Sequence, residues 1–284
     1  MNASDLQFVG SLLHSSAGLV VGPDKSYLLE SRLAPVARKH GLGNVGELVK
    51  ALRGMRRDSV LRDTIEAMTT NESFFFRDGR PFEALRDLVL PELLRRRSAT
   101  RTLRIWCAAA STGQEPYSIA ILLQEEAAKL AGWRCQILAT DLSTEALDRA
   151  KAGLYNQFEA QRGLSIQRLI RHFDQEGQQW RVKPALRAAV EFRPFNLLHP
   201  PASLGRFDIV FCRNVLIYFD QPTKARVLRS IADVMEEDGT LFLGGAETTF
   251  GITAAFQPVP KHHGIYRPSP TPAAAAPVAA AARS

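Results

Sequence analysis

The sequence predicts an α/β protein: an open, mostly parallel, Rossmann-like sheet, preceded by an all-helical domain and interrupted by a small inserted subdomain. Three observations predict it. From residue 103 onward, apolar runs alternate with stretches of helical period, the pattern of strands and crossover helices. The first 70 or so residues show the helical period alone. Finally, Trp106-Cys-Ala-Ala-Ala-Ser-Thr-Gly-Gln-Glu-Pro-Tyr-Ser118 runs from an apolar segment through small residues and a turn into a helix opened by Pro116. An open sheet builds its ligand crevice in that way.

In the N-terminal part, Ser4 with Gln7 has the form of a capping box, and Leu6, Val9 and Leu13 share a face. A second helix is expected from near Asp24 to Gly41, with Pro35 as a kink. A third runs from Asn44, with Glu47 three residues on, to Gly54. A fourth begins at Asp58 and carries Leu61, Ile65 and Met68. Lys25, Arg32, Arg38, Lys39, Arg53, Arg56, Arg57 and Arg62 recur along these helices. They read either as a solvated face or as a docking face for an acidic partner. Arg95-Arg96-Arg97 reads as a solvated helix end, where cations are favoured.

The sheet is expected from strands at 103–109, 136–140, 190–194, 207–212 and 240–244, with a last one at 264–267. The run at 207–212 is almost wholly apolar, as a strand buried on both faces should be. Helices are expected at 116–130, from 143 to 150, and at 222–237, the last with Leu228, Ile231 and Met235 on one face and Gly239 as its stop. Residues 153–189 are too long for a simple crossover, and Tyr155, Phe158, Phe173, Trp180 and Val182 suggest a subdomain inserted there. From Pro268 the chain is rich in Pro and Ala and reads as a disordered tail, 268–284. The expected domains are thus a basic helical domain at 1–80 and an α/β domain at 81–267.

The chain has 284 residues, 45% of them hydrophobic, 23% charged, with a net charge of +7. These are the proportions of a globular protein, and the basic balance favours acidic partners without choosing among them. No apolar run reaches the roughly 18 residues of a membrane span. The N-terminus lacks the pattern of a secretory signal. Cys107, Cys135 and Cys212 form no C-x-x-C pair and read as reduced core residues of a cytoplasmic protein.

The crevice loop contains one glycine, Gly113, whereas a pyrophosphate fingerprint needs three. It therefore suits a nucleoside ligand without a diphosphate, and S-adenosylmethionine is the candidate. Asp141 ends the second strand, where a carboxylate can accept hydrogen bonds from both ribose hydroxyls; its alternative role is to cap the next helix. The loop 111–115 leads into a helix N-terminus that can receive the methionine carboxylate. Glu115 suits the ammonium group, or simply stabilises its helical turn. In Thr69-Thr-Asn-Glu-Ser-Phe-Phe-Phe-Arg-Asp78, the aromatic run is either core or a face for a sulfonium cation, and Arg77 can orient a carboxylate. Cys212 reads as core, and His262-His263 without partners make no metal site.

Thr-Thr-Asn-x-Ser-x-Phe-Phe-Arg, Ser-Thr-Gly-Gln-Glu-Pro-Tyr-Ser and Phe-Cys-Arg-Asn-Val-x-Ile-Tyr-Phe occur in that order. Together they resemble the chemotaxis receptor methyltransferases, the CheR family, over nearly the whole chain to about Arg267. The resemblance implies the Rossmann-like sheet of S-adenosylmethionine-dependent methyltransferases, with the insert at 153–189 as a small β-subdomain. It implies methyl transfer from S-adenosylmethionine to glutamate side chains of chemoreceptors, without a metal. It implies that Asn71, Ser73, Arg77, Glu115 and Asp141 contact the cofactor, that Asn196-Leu197 and Asn214-Val215 flank its two ends, and that Arg77 and Tyr218 lie beside the transferring methyl. Ser73 stands where many relatives have threonine, and Gln114 where a glutamate is common. Some members bind a receptor C-terminal peptide on the β-subdomain through a glycine-rich loop. Gln175-Glu-Gly-Gln-Gln-Trp180 has one glycine, which argues against such tethering here. The basic helices would dock on Glu-rich receptor helices. Two other readings are a cofactor-sensing protein that binds without turnover, and nucleic-acid methylation, which rests on charge alone.

Overall fold

The computed structural model describes residues 2–22, 25–54 and 58–270. Asp24, Arg56, Arg57 and the tail from residue 271 lie outside the described residues. Four helices open the chain: α1 (Ala3–Ala17), α2 (Ser26–Lys39), α3 (Val45–Arg53) and α4 (Asp58–Met68). The cap of α1 is Asn2, whose side chain accepts from the Asp5 N–H, and not Ser4, which lies within the first turn. Asn44 caps α3 by accepting from Glu47, and Gly54 ends it, as its sequence predicts. Val9, Leu13, Leu29, Leu33, Leu48 and Val49 form the buried centre of this bundle. Leu61 and Ile65 are only half-buried against it, and Val60, Thr64 and Met68 form the inner stripe of α4.

A continuous helical run follows: α5 (Arg80–Ala84), a π turn (Leu85–Val89) and α6 (Leu90–Arg96). Its basic end is not merely solvated. Arg97 pairs with Asp208 (2.8 Å) and Asp238, and Arg96 with Asp238 (3.1 Å), so the helix end is tied to the sheet. Then come β1 (Thr102–Ala108), α7 (Gln114–Glu125), β2 (Arg134–Asp141) and α8 (Thr144–Ala152). The insert contains β3 (Leu154–Asn156), α9 (Gln157–Gln161), α10 (Ile166–His172), β4 (Phe173–Glu176), β5 (Gln179–Val182) and α11 (Pro184–Ala188). Its strands form an antiparallel sheet of order β3-β5-β4.

The main sheet is completed by β6 (Val190–Pro194), β7 (Phe207–Cys212), α12 (Gln221–Asp233), β8 (Met235–Leu243), β9 (Phe256–Pro258) and β10 (Ile265–Pro268). Its order is β6-β2-β1-β7-β8-β10-β9. The first five strands are parallel, and β10 runs antiparallel to β8 and β9. Met235 is therefore the first residue of a strand rather than the end of a helix, and Gly239 lies inside that strand rather than after a helix. The strand at β9 is absent from the sequence-based expectation.

Two apolar layers cover the sheet. One contains Phe75, Tyr117, Phe211 and the insert residues Tyr155, Phe173 and Val182. The other packs Trp106, Phe207, Val227, Leu228 and Ile231. Cys107 and Cys212 are buried, Cys135 is half-buried, and all three are free. No helix among the described residues is long and apolar enough to cross a membrane. Strand order reverses between β1 and β7, so the sheet opens a crevice at the carboxyl ends of those strands.

Candidate active site

A cavity of about 900 Å³, including the space open to solvent, sits at that switch point. Loops after β1, β2, β6 and β7 supply its walls, and Ala17 and Leu19 of the helical domain close one side.

The loop after β1 is shaped by three left-handed residues, Ala109 (φ 63°), Ser111 (φ 50°) and Gly113 (φ 96°). Only the third needs to be glycine for space: a Cβ there would lie 2.8 Å from the Ala150 Cβ and 3.0 Å from the Tyr155 hydroxyl. The loop thus packs directly on α8. Non-glycine residues held in this region are costly and concentrate at functional sites. Asn214 (φ 60°), across the cavity, is another.

Asp141 is nearly buried and lines the cavity. Its two carboxylate oxygens accept from the Ser111 N–H (2.7 Å) and the Ser143 N–H (2.9 Å). The helix cap is Ser143, which accepts from Ala146, so the capping alternative for Asp141 is excluded. A carboxylate offers about four acceptor positions. Acceptor capacity therefore remains for a ligand hydroxyl. Burial pushes the Asp141 carboxyl up, and the backbone N–H groups oppose this.

Glu115, in the first turn of α7, also lines the cavity and pairs with Arg213 at 2.7 Å. Burial raises its carboxyl above the ordinary range, with the Arg213 charge opposing. The Arg213 side chain is 1% exposed and reaches Asp78 (2.6 Å) and the Arg77 carbonyl (3.1 Å) as well. Arg77 lines the cavity and donates to the Glu72 carbonyl (3.1 Å). Among the described residues no carboxylate forms an ion pair with it, which leaves its charge available to an incoming anion.

Asn71, Ser73, Asn196, Leu197, Asn214, Val215 and Tyr218 line the same cavity. The Asn196 side chain is already engaged, donating to the Ser16 carbonyl (2.7 Å) and accepting from Leu198 (3.0 Å). The aromatic run does not face the cavity. Phe75 meets Tyr155 and Phe173 edge-on, Phe76 packs on Phe82, and Phe74 lies under the guanidinium groups of Arg77 and Arg162. The core reading holds for Phe75 and Phe76, Phe74 is half-buried against the two arginines, and none of the three lines the cavity as a sulfonium face would. The aromatic lining comes from Phe195, Tyr218 and Phe219. No group of three or more metal-ligating side chains occurs among the described residues.

Sequence reasoning missed Arg213 and Glu247. The Glu247 carboxylate accepts from the N–H groups of Asn214, Val215, Leu216 and Gly244. One signal was available for it: the Gly244-Gly245 pair at a strand end marks a close backbone approach.

Comparison with known families bears on the cavity. The model of the CheR methyltransferase S-adenosylmethionine-binding domain matches residues 71–265, and that of the CheR all-alpha domain matches 4–69. The chain belongs to the CheR methyltransferase family. It is similar to chemotaxis protein methyltransferase Cher2 of Pseudomonas putida, at 45% identity over 89% of this chain and 93% of that protein. It is 44% identical to chemotaxis protein methyltransferase 1 of Pseudomonas aeruginosa, over 92% of this chain and 96% of that one. The chemotaxis protein methyltransferase of Escherichia coli shares 37% identity over 86% and 85%. The α/β domain is thus a CheR methyltransferase domain, and its cofactor is S-adenosylmethionine.

Proposed function

We propose that this CheR methyltransferase methylates glutamate side-chain carboxylates of chemoreceptors. The observation that carries the reading is Arg77, a cavity-lining guanidinium without a carboxylate partner among the described residues, facing the same space as Tyr218. S-adenosylmethionine, when bound, supplies an electrophilic methyl on a sulfonium and leaves as S-adenosylhomocysteine.

Asp141 holds the ribose and Glu115 the ammonium, while the N-terminus of α7 lies toward the carboxylate of the amino-acid moiety. Asn71, Ser73, Asn196, Leu197, Asn214 and Val215 complete the cofactor's surroundings. Arg77 orients the substrate carboxylate by a bidentate contact, and Tyr218 confines it beside the methyl. A glutamate has a reference pKa of about 4.3, so its carboxylate is already the nucleophile at neutral pH. A carboxylate oxygen forms the new bond to carbon as the carbon–sulfur bond breaks, and no proton moves. Alignment and exclusion of water remain for the protein to supply.

The helical domain is the docking element for acidic receptor helices. Arg32, Lys39 and Arg53 are engaged within it, with the Met68 and Thr69 carbonyls, Asp63 and Asp5. Exposed Lys25, Arg38 and Arg62 remain for a partner.

The test is transfer of labelled methyl from S-adenosylmethionine to the cytoplasmic fragment of a receptor from the same organism, with Arg77→Ala alongside. Base-labile label on the receptor, lost in the variant, is expected. Cofactor binding without any label would mean a different substrate or a sensor.

A further inference from the structure

Glu247 is 5% exposed, and among the described residues its carboxylate forms no ion pair. Its Oε2 accepts from Asn214 N (2.8 Å) and Gly244 N (2.7 Å); its Oε1 accepts from Val215 N (2.9 Å) and Leu216 N (2.7 Å). All four acceptor positions of a carboxylate are thereby used, each in a short, charge-assisted bond. Three of the donors are consecutive residues of the loop after β7. That loop begins with Arg213, which reaches Glu115. It passes through left-handed Asn214 and turns at Leu216–Tyr218, placing Asn214, Val215 and Tyr218 on the cavity wall.

Gly244 lets Glu247 approach: a Cβ there would lie 2.7 Å from the Asn214 Nδ2, 2.8 Å from the Glu247 Oε2 and 2.9 Å from the Asn214 N. Strained, left-handed Asn214 persists only where its surroundings over-determine it, and its own N–H is one of the four donors.

We infer that Glu247 is a positioning residue for methyl transfer, acting through the backbone of residues 214–216 to set Asn214, Val215 and Tyr218 against the cofactor and the substrate carboxylate. The inference rests on reading the cavity as the cofactor site. A neutral amide cannot replace the carboxylate. One oxygen accepts two bonds, and the NH₂ then confronts two N–H donors.

The experiment is calorimetric binding of S-adenosylhomocysteine to wild type and Glu247→Gln, both verified as folded by circular dichroism at the assay temperature. The dissociation constant is expected to rise at least tenfold, about 1.4 kcal/mol. In transfer assays kcat is expected to fall even at saturating cofactor. The losses from Glu247→Gln and Tyr218→Phe should combine to less than their product, because a misplaced Tyr218 has little left to lose. An unchanged dissociation constant and kcat with only a lowered melting temperature would reduce Glu247 to a structural residue and overturn the inference. If Glu247→Gln does not fold, amide hydrogen exchange on the wild type decides. Slow exchange at Asn214, Val215 and Leu216 without ligand is required, and open-loop rates there overturn the inference. A wild type that binds no S-adenosylhomocysteine would instead refute the cavity assignment itself.

Discussion

Replacing Arg213 by Met removes a buried cation and leaves Glu115 in place. Arg213 makes two ion pairs, but they differ in value. The Asp78 side chain is 48% exposed, so its loss counts for about 0–1 kcal/mol. The Glu115 side chain is 12% exposed and becomes an uncompensated charge. Breaking a buried pair in this way costs about 3–5 kcal/mol. Protonation sets an independent ceiling. Neutralising a carboxyl of reference pKa about 4.3 at pH 7 costs about 3.7 kcal/mol, and at pH 5 only about 1 kcal/mol. Glu115 is already raised in the folded protein by burial, and loss of Arg213 raises it further. A carboxyl raised on folding binds more protons in the native state. Its contribution is present below the unfolded pKa and lost as pH rises through the folded one. Urea unfolding of Arg213→Met against wild type is therefore expected to show a deficit of about 3–4 kcal/mol at pH 7 that shrinks by about 2 kcal/mol or more at pH 5. Adding Glu115→Gln should restore most of the stability at pH 7, since removing both members of such a pair is often near neutral. An equal deficit at both pH values, or a double variant no better than the single one, would refute this account of the pair.

Gly163 has φ +96°, and a Cβ there would lie 1.8 Å from the Phe75 carbonyl oxygen, so Gly163→Ala must displace backbone. Scanning calorimetry should show a loss above the roughly 1–3 kcal/mol of the strained conformation alone, and a wild-type melting temperature would contradict it. Asp220 caps α12 through Thr223 and pairs with His14 at 2.9 Å. Asp220→Ala should cost about 1 kcal/mol at neutral pH. Hydrogen bonds from Thr223 hold this carboxyl down at about 2, so its contribution is present above its unfolded value and fades as pH falls toward 2. A wild-type-minus-variant stability difference that is flat with pH down to 2 would exclude the cap. Asp141→Asn is expected to raise the dissociation constant for S-adenosylhomocysteine at least tenfold by calorimetry, and an unchanged constant would remove the ribose role.

Elements governed by local chemistry were legible in the sequence. Asn44 and Gly54 bound α3 because capping needs only neighbours, and 190–194 and 207–212 are strands because their apolar runs are short and bounded. The boundary near residue 234 was not legible. The apolar face of α12 runs from Leu228 through Ile231 to Met235 without interruption, although Met235 belongs to the next strand. The aromatic run at 74–76 carried no periodicity to say which way its rings point, and tertiary packing decided it. In the cavity, Asp141 and Glu115 could be found because strand ends and helix starts locate them. Glu247 had only the neighbouring Gly244-Gly245 pair as a signal, because three of its four partners are main-chain N–H groups 31 to 33 residues away, which no side-chain pattern records. Arg213 stood inside a noted motif, yet its two carboxylate partners lie 98 and 135 residues distant.

The helical domain is part of the cavity wall. Ala17 and Leu19 line it, the Ser16 carbonyl accepts from Asn196, and the Val20 N–H donates to the Tyr218 carbonyl. Gly18 at the end of α1 is wedged so closely that a Cβ would lie 3.1 Å from both Leu198 and Phe219. Occupancy of the cavity and the seating of α1 therefore depend on shared contacts. A macromolecule that grips the helical bundle and tightens cofactor binding by some factor must itself be gripped more tightly, by that same factor, once the cofactor is in place. If the helical bundle is the docking element proposed above, release of the spent cofactor and release of the methylated partner would be linked in this way.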